Sequence, residues 1–231
     1  FGGGAEAVLC FPDIRQGGYG VNSRRFAAAA AFLFLSLAAG FCARAALPPR
    51  FGGFPNLRLR AKIAKLDPAL AVRPDEFTVA LSIFEPLLKR NQGGAYSPVL
   101  LEDLPETSDD GLTYYFKLRK DILFHDGRAL DASDVLHTIQ RVVKSRRSPY
   151  SWIFDAVKGT SNYRSGRASD IAGFKIVDER RFEIELVKKN PNFLRYLCLP
   201  AAAIVPTADR DFKPPVGTGP FKFVDMRADG A

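Results

Sequence analysis

Along Ser108–Val143, SDDGLTYYFKLRKDILFHDGRALDASDVLHTIQRVV, apolar positions recur first at every second residue and then at helical spacing. Asp109, Asp110 and Gly111 signal a turn, since glycine accepts positive φ and aspartate bonds nearby backbone amides. Leu112, Tyr114, Phe116 and Leu118 then share one face, with Thr113, Tyr115, Lys117 and Arg119 on the other, which predicts a half-buried strand. His125-Asp126-Gly127 marks a second turn. Asp131 predicts a helix N-cap with Asp134 in the first turn, where carboxylates suit unpaired N–H groups. The helix that follows carries the apolar stripe Val135, Leu136, Ile139, Val142 and Val143.

Similar patterns extend to both sides. Leu57-Arg58-Leu59-Arg60-Ala61 alternates as a strand after a Pro/Gly linker, Leu47–Pro55. Pro68 and Pro74 make Leu66–Arg73 a loop. Pro74 begins a helix at N1, with Asp75 and Glu76 in its first turn and Phe77, Leu81 and Phe84 directed at the core. Ser148-Pro149-Tyr150-Ser151-Trp152 is a loop entering Ile153–Val157. Ile171–Val177 and Arg181–Val187 read as two strands joined at Asp178-Glu179-Arg180, because Phe182, Ile184 and Leu186 alternate with Arg181, Glu183 and Glu185. Asn190-Pro191 introduces a short helix, Phe193–Leu199.

Composition adds little to this picture. The 231 residues are 47% hydrophobic and 25% charged, as in an ordinary globular protein with room for one or two cores. Net charge is +8, and the basic residues are scattered apart from Lys144, Arg146 and Arg147. That run reads as a solvated face rather than a nucleic-acid patch, so the charge points at most to an anionic partner or surface. The cysteines are Cys10, Cys42 and Cys198. Loss of a leader would leave Cys198 alone, as a core thiol with no intramolecular disulfide to form.

Ser23–Ala46, SRRFAAAAAFLFLSLAAGFCARAA, has that leader's form: two arginines, an uncharged run, and Ala43-Arg44-Ala45 as an A-x-A cleavage site. The competing reading is a membrane-spanning helix, for which the run is just long enough. Phe41 before Cys42 argues against a lipid anchor. Arg24-Arg25 hints at twin-arginine export, although the rest of that motif is missing. Residues 1–20 are glycine-rich and would place the leader's basic region inside the chain. One explanation is translation from Val21 at a non-AUG codon, leaving residues 1–20 untranslated.

The chain lacks the common catalytic and metal-binding sequence motifs. Gly217-Thr218-Gly219 lacks the Lys-Ser/Thr of a P-loop, and G-x-S-x-G, H-E-x-x-H and C-x-x-C do not occur. His125 and His137 have no further ligand at useful spacing, so neither a metal site nor a cofactor is expected. Asp109-Asp110 and Glu183/Glu185 read as solvated carboxylates of a turn and a strand face.

The order of residues nevertheless resembles the family 5 extracellular solute-binding proteins, the peptide and nickel receptors of bacterial ABC importers. The match runs through S-D-D-G-x-T-Y-x-F-x-L-R, F-x-D-G and the capped helix at Ser108–Val143. It continues through I-x-G-x-K-x-V-D-x-x-x-F-E-I-x-L at Ile171–Leu186 and ends at Pro215-Val216-Gly217-Thr218-Gly219-Pro220-Phe221. Leu66-Asp67-Pro68 and Phe84-Glu85 fit as well, but Pro86 stands where the family has glycine. The resemblance covers about Leu57–Asp225.

It implies an α/β, periplasmic-binding-protein-like two-lobe fold of the large peptide-binding subclass, incomplete here. Residues 21–45 would be the signal peptide, 46–84 the first lobe, 85–206 the second, and 207–231 the truncated return to the first. In such proteins two lobes close about a hinge, and peptide receptors can hold the ligand as an added strand. Carried over by position, Val72, Arg73 and Pro74 would line the cleft from one lobe, and Tyr150 would face it from the other. Arg73 could meet a ligand carboxylate. Gly217, Thr218, Gly219 and Pro220 would form the hinge return, where glycine suits the backbone.

The implied protein is a periplasmic, monomeric receptor, not an enzyme, that delivers a peptide or small solute to an ABC permease in the inner membrane. No nucleic acid takes part. Dipeptide, oligopeptide, nickel chelate, haem and opine remain open as ligands. Family members run to more than twice the mature length, so residues 46–231 alone are expected to bind ligand weakly or not at all. The alternatives are the sensing domain of a transcription regulator and a secreted hydrolase.

Overall fold

The computed structural model describes residues 59, 63, 65–207 and 214–225. These fall in one unit, Leu57–Ala231. The leader, the linker and all of the expected strand at 57–61 except Leu59 lie outside the described residues. In chain order the elements begin with a 3-10 turn, Pro68–Leu70, and helix α1, Pro74–Ile83. Strands β1, Leu88–Arg90, β2, Tyr96–Pro98, β3, Glu106–Thr107, and β4, Thr113–Lys117, follow, then helix α2, Ala132–Lys144. A 3-10 turn, Ser151–Phe154, leads to helix α3, Thr160–Arg164, and to strands β5, Phe174–Ile176, and β6, Arg181–Glu185. Helix α4, Phe193–Tyr196, and a 3-10 turn, Pro200–Ala202, complete the series.

The alternating segments at β4, β5 and β6 form, together with the short β3, one antiparallel sheet of order β3-β4-β6-β5, and β1 and β2 form a separate hairpin. Phe116 lies opposite Phe182 in register. Their rings stack at 4.8 Å, and Phe174 stacks on Phe182 at 5.1 Å, giving three layered aromatics on the buried face. Helix α2 contributes Val135, Ile139, Val142 and Val143 to the same core. Leu136, expected in that stripe, is partly buried at its edge.

The start of α2 follows the sequence reading and adds to it. Asp131 accepts the Ser133 and Asp134 amides, and Asp134 returns a bond to the Asp131 amide at 3.1 Å, completing a capping box. Asp134 is also fully buried and receives both terminal nitrogens of Arg128, at 3.0 and 2.6 Å. Its Oδ1 further accepts the Thr207 amide at 2.9 Å. It is therefore a junction between α2 and residues far along the chain as well as a cap.

Other elements are shorter than the periodicity predicts, for local reasons. The Phe174 amide turns back to the Ile171 carbonyl, so β5 starts three residues late. Gly173 is sandwiched between the Lys158 and Glu185 backbones, where a Cβ would lie 2.6 Å from the Glu185 carbonyl oxygen. After Tyr196, the Cys198 and Leu199 amides bond carbonyls three residues back, tightening the chain ahead of Pro200. The segment entered by Tyr150 is a 3-10 turn. In α1 the buried positions are Glu76, Ala80 and Ile83, while Phe77 is half-buried and Leu81 exposed. That corrects the expected Phe77–Leu81 face.

A smaller core gathers Ile83, Phe84, Ala203 and Val205, with Leu66, Val79 and Phe223 against it. Between the two cores runs an extended segment. Ile204 points into the larger core and its neighbours Ala203 and Val205 into the smaller, as strand alternation requires. The Ile204 amide bonds the Glu85 carbonyl at 2.9 Å, and the Val205 amide bonds the Thr138 hydroxyl at 3.1 Å.

Candidate ligand-binding site

The loop Leu66–Arg73 is built from its own side chains. Asp67 accepts the Ala69 amide at 2.9 Å and caps the 3-10 turn begun by Pro68. Both of its carboxylate oxygens also receive Nη1 of Arg141, at 2.9 Å, from the last turn of α2. The Ser-Pro-Tyr segment holds the next part. Ser148 Oγ donates to the Ala69 carbonyl at 2.7 Å, and the Tyr150 hydroxyl donates to the Ala71 carbonyl at 2.8 Å.

Helix α1 continues the unit. Arg73 is its N-cap by backbone geometry, but a guanidinium has only donors and cannot accept an amide. Glu76, three residues on, acts instead. Its Oε2 accepts the Val72 amide at 2.9 Å and the Arg73 amide at 3.1 Å, and its Oε1 pairs with Nη2 of Arg73 at 3.1 Å. The Val72 amide, followed by the Arg73 amide and guanidinium, holds the Glu76 carboxyl below its usual range, against the opposing effect of burial. Burial, reinforced by the Glu76 charge, pushes the Tyr150 phenol up.

Val72, Arg73, Pro74 and Tyr150 thus sit in one hydrogen-bonded unit, with Tyr150 joined directly to the loop rather than separated from it. Val72 is 56% exposed. Pro74 is exposed and its carbonyl accepts the Thr78 hydroxyl. The arrangement offers main-chain carbonyls, a phenol oxygen and a charged pair. Among the described residues, no group of three or more His, Cys, Asp or Glu side chains could hold a metal ion.

Gly217–Pro220 lies at the other end of α1, about 15 Å along a ten-residue helix. The Gly219 amide bonds the Ile83 carbonyl at 2.8 Å and the Phe221 amide bonds the Ser82 carbonyl at 3.0 Å, satisfying carbonyls that the helix end leaves open. A Cβ on Gly217 would lie 2.0 Å from the Ile83 oxygen. Close approach therefore requires the glycine. His125 clamps the other side: its amide donates to the Gly217 carbonyl at 2.9 Å and its Nε2 meets the Gly219 carbonyl at 2.8 Å. A carbonyl can only accept, so Nε2 carries the proton and Nδ1 takes the Gly217 amide at 3.4 Å.

Sequence reasoning gave Glu76, Ser148 and His125 only first-turn, loop and turn places, with no bonding role, and did not single out Arg141. A Glu three residues after a helix N-cap is half of a capping-box pattern and pointed to Glu76. The other three carry no local signal, because their partners are remote in sequence.

Residues 95–230 match the family described as bacterial extracellular solute-binding proteins, family 5, middle. The chain belongs to this family. Its fold is part of the two-lobe periplasmic-binding-protein-like α/β architecture expected from the sequence. It is similar to the periplasmic murein peptide-binding protein MppA of Escherichia coli K12, with 33% identity over 136 residues, 57% of this chain and 25% of that protein. Heme-binding protein A of Haemophilus influenzae Rd is 30% identical over 184 residues, 71% of this chain and 33% of that one. Among solved structures, the pheromone receptor PrgZ superposes with a TM-score of 0.64 at 30% identity, covering 72% of this chain and 35% of its own. The chain spans about a quarter to a third of these proteins. Family members are substrate-binding proteins.

Proposed function

We propose that this chain is part of the substrate-binding component of an ABC importer, exported to the periplasm behind the signal peptide at 21–45, that takes up peptides or a related small solute. It hands the solute to an inner-membrane permease without converting it. Val72, Arg73, Pro74 and Tyr150 contact the ligand, and Gly217, Thr218, Gly219 and Pro220 serve the hinge. Residues 46–84 and 207–231 belong to one lobe and 85–206 to the other. It works as a monomer and needs no nucleic acid.

The observation that carries this reading is the pair of hydroxyl bonds from Ser148 and Tyr150 to the Ala69 and Ala71 carbonyls. They join two loops that the family resemblance marks separately for the ligand. Calorimetric titration of the full-length protein with trialanine, with haem as comparison, tests it. A Kd of about micromolar for the peptide is expected. Absence of heat with trialanine and with longer alanine peptides would overturn the peptide assignment.

A further inference from the structure

The Glu76 side chain is only 6% exposed, yet it stands at the start of α1 beside an exposed loop. An acid that merely suited the helix dipole could remain in water. Glu76 instead folds back over the N-terminus and collects two consecutive main-chain amides and a guanidinium nitrogen. This fixes which main-chain groups Val72 and Arg73 have left for a ligand. The Val72 and Arg73 amides are engaged, and the Arg73 carbonyl accepts the Phe77 amide at 2.9 Å. Among the described residues, nothing donates to the Val72 carbonyl. The Tyr150 proton is directed at Ala71, so the phenol turns only lone pairs outward. The Arg73 guanidinium gives Nη2 to Glu76 and is a side-chain donor apart from these main-chain groups.

We propose that Glu76 is the positioning residue of the ligand wall: by holding both the Val72 and Arg73 amides it makes the wall offer main-chain acceptors, so that it recognises a ligand by an N–H donor. The inference rests on the assignment of these loops to the ligand. A complete antiparallel pair uses the amide and the carbonyl of one residue together. Val72 can give only its carbonyl, so strand addition at this loop is one-sided. A peptide N–H or a terminal ammonium group satisfies it, whereas a ligand presenting only carbonyls or carboxylates there does not.

The first test needs no ligand. Amide hydrogen exchange of the 15N-labelled full-length protein is followed at Val72, Arg73 and Ile139 in wild type, Glu76→Gln and Glu76→Ala. Glu76→Ala should accelerate Val72 and Arg73 about tenfold or more and leave Ile139 unchanged. Glu76→Gln, whose side-chain carbonyl still accepts, should restore most of the protection. Unchanged exchange in Glu76→Ala, or equal acceleration at Ile139, overturns the positioning role.

The second test compares trialanine with its analogue in which the central N–H is replaced by an ester oxygen. The ester should bind wild type about tenfold more weakly, the loss expected for one hydrogen bond to the wall. Equal binding overturns the polarity claim. Failure of both ligands to bind wild type overturns the peptide assignment and the polarity claim together, while exchange still decides the role of Glu76.

Discussion

The Tyr150 hydroxyl reaches the Ala71 carbonyl at 2.8 Å across 79 positions of sequence, and Ser148 reaches Ala69 across the same 79. Equal offsets mean that the two segments run side by side in the same direction, stepping two residues at a time. Two hydroxyls thereby do what a ladder of amides does in a sheet, which Pro149 between them could not supply.

Tyr150→Phe removes the hydroxyl and keeps the ring. One partly buried hydrogen bond is lost, so unfolding free energy should fall by about 1 kcal/mol. Urea denaturation followed by circular dichroism measures this. An unchanged midpoint would show that water replaces the hydroxyl without cost.

Gly217→Ala places a methyl group 2.0 Å from the Ile83 carbonyl oxygen and 2.9 Å from Cδ1 of the fully buried Phe84 ring, and neither the backbone nor a packed ring yields easily. A loss of about 1–3 kcal/mol is expected, as for other overpacked sites. Gly93→Ala is the control, because nothing lies within 4 Å of the added Cβ and its φ is not positive. It should leave stability unchanged or raise it by up to about 1 kcal/mol.

Asp178, in the turn between β5 and β6, accepts the Arg180 amide, Nε of Arg181 and the Arg181 amide. These bonds, the Arg180 amide foremost, lower its pKa from 3.8 to about 2. The folded value lies below the unfolded one, so the stabilisation is complete above about pH 4 and is lost as pH falls towards 2. Thermal unfolding of Asp178→Asn should show a shallower fall in Tm over that window than wild type. Parallel curves would remove Asp178 from the acid response.

Burial pushes the Cys198 thiol up to about 11, against the Arg90 charge, and its Sγ donates to the Leu194 carbonyl at 3.3 Å. At pH 8 the thiolate fraction should be about a hundredfold or more below that of a free cysteine. Peptide-resolved mass spectrometry after iodoacetamide treatment should find Cys198 labelled slowly in the native protein and quickly in urea. Rapid native labelling would mean that the α4 turn opens readily.

The strands around Phe116 and Phe182, the Asp131 cap and the α2 stripe were legible because each is decided by neighbours within a few positions. The buried face of α1 was not. A polar residue, Glu76, occupies it, and hydrophobic periodicity cannot recognise a carboxylate whose partners are amides of the preceding loop. The site was half legible: family resemblance marked Val72, Arg73, Pro74 and Tyr150, but not the residues that hold them. His125 read as a turn residue because nothing near it in sequence reveals that both ring nitrogens meet Gly217 and Gly219. The His125–Gly219 contact spans 94 positions.

The carbonyls of Ser82 and Ile83 meet their partners only when Gly219 and Phe221 arrive. At ribosomal rates, the interval between making the two ends of that contact is on the order of ten seconds. Throughout it α1 has an open end and the smaller core lacks Phe223, whereas the sheet of β3, β4, β5 and β6 can already assemble with α2. Folding is therefore ordered in time, with the larger core early and the glycine joint late.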